Sequence, residues 1–100
     1  MKTIFKFPIL KVDDIVEIEM PKGAQIISVQ CAASLAPNSD KPAIWAIVDT
    51  EAPKAKRRIR IAGTGHPLES QANAYTFIGT LQLYSGRLVF HFFDLGEIYD

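Results

Sequence analysis

The sequence predicts an all-β fold, a small antiparallel β-sandwich or barrel of about seven strands with at most one short helix. Short runs rich in β-branched and aromatic residues recur along the chain, several of them alternating in polarity. Gly, Pro, Asn and Asp punctuate the intervals between those runs. Helix-start features are confined to "HPLESQANA" (66–74), where Pro67 suits a first helical position and Glu69 the first turn.

The first strand is "TIFKF" (3–7), stopped by Pro8. In "IVEIEM" (15–20), Val16, Ile18 and Met20 share one face and Glu17 and Glu19 the other. The turn "PKG" leads into "AQIISVQCA" (24–32), whose alternation groups Ile27, Val29 and Cys31 opposite Ile26, Ser28 and Gln30. "SLAPNSDKP" (34–42) has the composition of a surface connection. "AIWAIVD" (43–49) is apolar on both faces and reads as a central strand. After the turn "TEAPK", "RRIRIAG" (57–63) sets Ile59 and Ile61 against Arg58 and Arg60, one face core and the other basic. "YTFIGTLQLY" (75–84) and "GRLVFHFFDL" (86–95) form a hairpin joined at Ser85 and Gly86. No internal repeat or change of composition divides residues 1–100, so one β domain is expected.

Composition narrows the function classes. Nearly half the residues are hydrophobic, and a chain of this length buries roughly two thirds of its unfolded surface, so one core suffices. Eleven basic and eleven acidic side chains cancel. No whole-molecule field draws the chain to a nucleic acid polymer or an anionic membrane. No apolar run approaches the ~20 residues of a membrane-spanning helix. Lys6 and Pro8 interrupt the only stretch resembling a leader. The single Cys31 has no internal disulfide partner, and a cytoplasmic location is expected. Two histidines and one cysteine, widely spaced, make no zinc pattern, and neither metal nor cofactor is expected.

The strongest local signal is "RRIRIAGTGHPLES" (57–70), where a basic strand runs into two glycines, a threonine and a histidine. Backbone N–H groups of a glycine-containing turn converge on anions, and Thr64 adds a hydroxyl donor. His66, held extended by Pro67, stands at the loop edge. Arg58 and Arg60 on one strand face offer a bidentate site for phosphate or carboxylate. The competing reading is structural: Gly63 and Gly65 supply positive φ in a turn, and the cations, with Lys54, Lys56 and Arg57, form the solvated face of an edge strand. His91, on a face with Val89 and Phe93, reads as a satisfied core or interface histidine. Trp45 reads as core, with base stacking as its functional alternative. No nucleophile elbow, Ser/His/Asp set or supported Cys/His pair is present, which argues against an enzyme.

At "KFPI", "IEMPKGAQIISVQ", "IWAIVD", "IRIAGTGHP", "YTFIGTLQL" and "LVFHFFD" the chain resembles a family of small proteins encoded by bacteriophages, prophages and some bacteria. The resemblance covers almost the whole chain, with Gly63 to Pro67 its most recognisable part, and departs at the longer insert "CAASLAPNSDK". It implies no catalytic chemistry. It implies a binding protein in an infected or lysogenic cell, with an anti-defence role as one form of it. On that basis the leading expectation is a non-enzymatic homo-oligomer sequestering a small anionic ligand, a nucleotide host-defence signal. Arg58 and Arg60 would neutralise phosphate, the Gly63 to Gly65 amides and Thr64 would donate hydrogen bonds, His66 would contact phosphate or ribose, and Trp45 or Tyr75 would stack on a base. The alternative is an inhibitor or structural module that docks on a host or virion protein. A small hydrolase using His66 ranks last.

Overall fold

The computed structural model describes residues 1–32, 41–68, 75–83 and 86–98. Seven strands run along them: β1 (Lys2–Pro8), β2 (Ile15–Pro21), β3 (Gln25–Ala32), β4 (Lys41–Asp49), β5 (Lys54–Gly63), β6 (Thr76–Leu83) and β7 (Leu88–Ile98). They form two antiparallel sheets in the orders β1-β4-β3 and β2-β5-β7-β6. The chain changes sheet after β1, after β2 and after β4, and so closes two layers around one interior. The thin dimension of the Cα trace is 19 Å.

Alternation explains the interior. Ile44 of β4 packs with Val29 of its own sheet and with Ile59, Ile61, Leu81, Leu83 and Phe92 of the other, while Ala46 and Val48 of β4 pack with Met20 and Ala24. Val16, Ile18 and Met20 point inward and Glu17 and Glu19 outward, as the sequence predicts. β4 is central in its sheet, also as predicted, and the β6–β7 hairpin closes with Leu83 opposite Leu88. The helical turn expected over 66–74 falls mostly outside the described residues, as do residues 34–40 of the predicted surface connection. No helix among the described residues is long and apolar enough to cross a membrane.

Three local expectations are corrected. The pairing of β3 with β4 shifts between Ile26 and Ser28, so a bulge at Ile27 reverses the alternation there. Ile26 therefore packs on the core with Val29, and Ile27 is exposed. β5 is not an edge strand, because β2 and β7 pair on either side of it. Trp45 lies half-buried on the outer face of its sheet, opposite Lys6 and Ser28, with the Lys6 ammonium 6.0 Å from the ring centroid.

Candidate functional site

The GTGHP segment leaves the end of β5 as a tight turn. The His66 amide donates to the Gly63 carbonyl at 3.1 Å, and Gly65 has φ +85° at the third turn position, where only glycine sits without strain. Gly63 does a different job. A Cβ there would stand 2.8 Å from two atoms of the His66 ring, so the glycine lets the imidazole fold back over the strand end. The Thr64 amide donates to the Val89 carbonyl at 3.2 Å, extending the β5–β7 ladder by one residue.

Arg60 fastens this turn to the sheet. Its guanidinium donates to the carbonyls of Asp14 (3.2 Å), Ile61 (2.7 Å) and Pro67 (3.2 Å), and the Asp14 carboxylate lies at 3.8 Å. With 5% of its surface exposed, Arg60 is a tie between the β1–β2 connection, β5 and the segment after the turn. Its donors face carbonyls rather than an open anion site. Arg58 shares the outer face of the sheet with Arg60, half-buried between Glu17 of β2 and Gly96 of β7. Tyr75 packs on Phe93 at 6.0 Å between centroids, and Phe93 pairs with Arg60. The sequence-nominated residues thus separate. Trp45 faces away from the sandwich on one side, Arg58, Arg60 and Tyr75 lie on the outer face of the other sheet, and Gly63, Thr64, Gly65 and His66 form its end.

Two features at that end escape sequence reading. Thr64 Oγ1 is 2.8 Å from His91 Nε2, and Thr80 Oγ1 is 2.9 Å from His91 Nδ1. In the neutral ring, one nitrogen donates to one threonine oxygen and the other accepts the second threonine's hydroxyl proton. Thr80 is there because it is the cross-strand partner of His91. The second feature is an open groove of about 250 Å³ between Gly63, Thr64 and His66 on one side and residues 87–90 on the other. Its polar rim is His66, Thr64 and Arg87, and its wall is Leu88, Val89 and Phe90. The His66 and Arg87 side chains make no hydrogen bond or ion pair with another described residue. Arg87 stands in the hairpin turn, and the pairing of Gly63 with Phe90 and the Thr64–Val89 hydrogen bond bring it beside the GTGHP turn. No group of three potential metal-ligating side chains occurs among the described residues.

Residues 1–98 match a protein family described as a domain of unknown function, DUF7352. The chain belongs to this family. No curated protein and no solved structure matches it. The DUF7352 match spans all seven strands, so the turn, its Arg60 tie and the groove all lie within the family domain.

Proposed function

We propose that the chain is a non-enzymatic binding protein that holds a small anionic ligand in the groove beside the Gly63–His66 turn. One observation carries the reading: a concave site with an apolar wall has on its rim a guanidinium and an imidazole that make no hydrogen bond or ion pair with another described residue, and an oriented hydroxyl. Arg87 supplies the charge and a planar donor fork for phosphate or carboxylate. His66 and Thr64 add directional contacts. The Thr64–His91–Thr80 chain has the connectivity of a nucleophile, a base and an orienting group, but the third member is a neutral hydroxyl. It cannot stabilise an imidazolium as a carboxylate does, which favours positioning of the Thr64 hydroxyl over activation. The resemblance to phage-encoded proteins adds a setting, in which the ligand is a host signal withdrawn from use.

Calorimetric titration with inorganic phosphate, short alkyl phosphates and linear and cyclic nucleotides tests the reading. Arg87→Ala is expected to weaken binding at least about tenfold, the worth of one charge-assisted hydrogen bond. Arg58→Ala is expected to leave it unchanged. Equal affinities for wild type and Arg87→Ala would remove the groove as the site.

A protein-docking module is the second reading, and it rests on exposed apolar side chains at sheet edges. Ile4 and Phe5 stand on edge strand β1, and Phe77 on edge strand β6. This reading predicts self-association or partner capture that Phe5→Lys or Phe77→Lys abolishes while anion titrations stay silent.

A further inference from the structure

We infer that the ligand is a single-chain amphiphile, an oxyanion head on an aliphatic body, with the head in the groove and the body in the adjoining mouth of the sandwich. The inference rests on the binding reading above and names the class of ligand. Next to the groove is an open hollow of about 390 Å³ lined by Ile9, Leu10, Val12, Pro42 and Leu83. Leu88 and Phe90 border both concavities. The hollow lies where the two sheets part: Leu83 and Leu88 are the last hairpin pair of one sheet, and the Ile9 amide donates to the Pro42 carbonyl at 3.0 Å in the other.

Its chemistry selects the occupant. Leu10 is 82% exposed, and Val12 and Leu88 are also exposed, so apolar surface faces water beside the buried Ile9 and Leu83. Contiguous apolar surface beside a cationic rim is complementary to a molecule that carries both characters. Lys41 at the margin of the hollow adds a further cation. A nucleobase suits the hollow poorly, because its ring nitrogens and carbonyls would leave water for a wall of alkyl side chains. The aromatic residues nominated for stacking, Trp45 and Tyr75, line neither concavity. An alkyl chain meets no such penalty.

The test is a chain-length series, ethyl to octyl phosphate, below micelle-forming concentrations, titrated into the full chain beside inorganic phosphate, octanol and a set of nucleotides. Affinity is expected to rise by up to about fourfold for each methylene buried. Leu10→Ser, a charge-neutral change at an exposed position, is expected to flatten that rise. Arg87→Ala is expected to lower every member of the series by a similar factor. Octanol matching octyl phosphate would overturn the inference, since the head would then contribute nothing. Short phosphates or nucleotides binding with no gain from chain length would also overturn it while leaving the binding function standing. Failure of every anion, nucleotides included, would strike the binding function itself.

Discussion

Gly63 and His66 constrain each other at the residue scale. The φ of Gly63 is not in the left-handed region, so a methyl group there meets no backbone strain, only the His66 ring at 2.8 Å. The ring is exposed and can swing away. Gly63→Ala is therefore expected to cost less than about 1 kcal/mol in urea denaturation while shifting the His66 ring resonances and weakening the ligand. Adding Gly63→Ala to His66→Ala is expected to change neither stability nor ligand affinity further, because the two residues act through one contact. A large stability loss that persists in the double variant would mean that the backbone, not the ring, requires the glycine. Gly65 offers the contrast. Its Cβ would meet open space, but its φ of +85° makes Gly65→Ala a strained substitution, with a loss on the order of 1 kcal/mol or more.

Strands β5 and β7 set the chemistry at the element scale through one irregularity. Arg58 pairs with Gly96 and Ile59 with Asp94, which leaves Leu95 as an extra residue on β7 beside a glycine at φ +95°. The bulge turns both Asp94 and Glu97 to the side of Arg57. The Arg57 guanidinium, buried in the sandwich, bonds Asp94 at 3.1 Å and the Ala24 carbonyl, with Glu97 at 3.9 Å. Glu97 also accepts from the Gly23 amide, so the cluster holds the β2–β3 turn against the second sheet. Arg57→Ala is expected to cost about 3–5 kcal/mol, because it removes the buried cation that offsets Asp94 in a shielded site. Arg57→Met combined with Asp94→Asn and Glu97→Gln should recover much of that loss, and thermal denaturation of both variants distinguishes stranded charge from lost packing. The alternation of "RRIRIAG" made Ile59 and Ile61 legible as core, and the same parity puts Arg57 on their face. Its acids are not legible, since they lie 37 and 40 residues later and depend on a bulge that alternation does not encode. The site divides in the same way. Gly65 betrays the turn, whereas Arg87, His91 and Thr80 reach it only through β7 pairing.

For the whole molecule, two sheets packed over one interior have a closed centre and an end at which apolar residues remain in water. Phe92, Ile44 and Ile59 have no exposed surface at the centre, whereas Ile9 and Leu10 are chain neighbours at the end with 3% and 82% exposed. That contrast separates stability from function. Ile9 touches the core, so Ile9→Ala is expected to cost about 2–5 kcal/mol as its cavity opens. Leu10 buries little in the free chain, and Leu10→Ser should fall within about 0.5 kcal/mol of wild type. The midpoints of urea unfolding check both values. Equal losses at the two positions would mean that Leu10 is covered in solution and that the mouth of the sandwich is closed to a ligand. A silent Leu10→Ser in the free chain, joined to a loss of octyl phosphate affinity, would assign that leucine's exposed surface to binding, since folding would then place no demand on it.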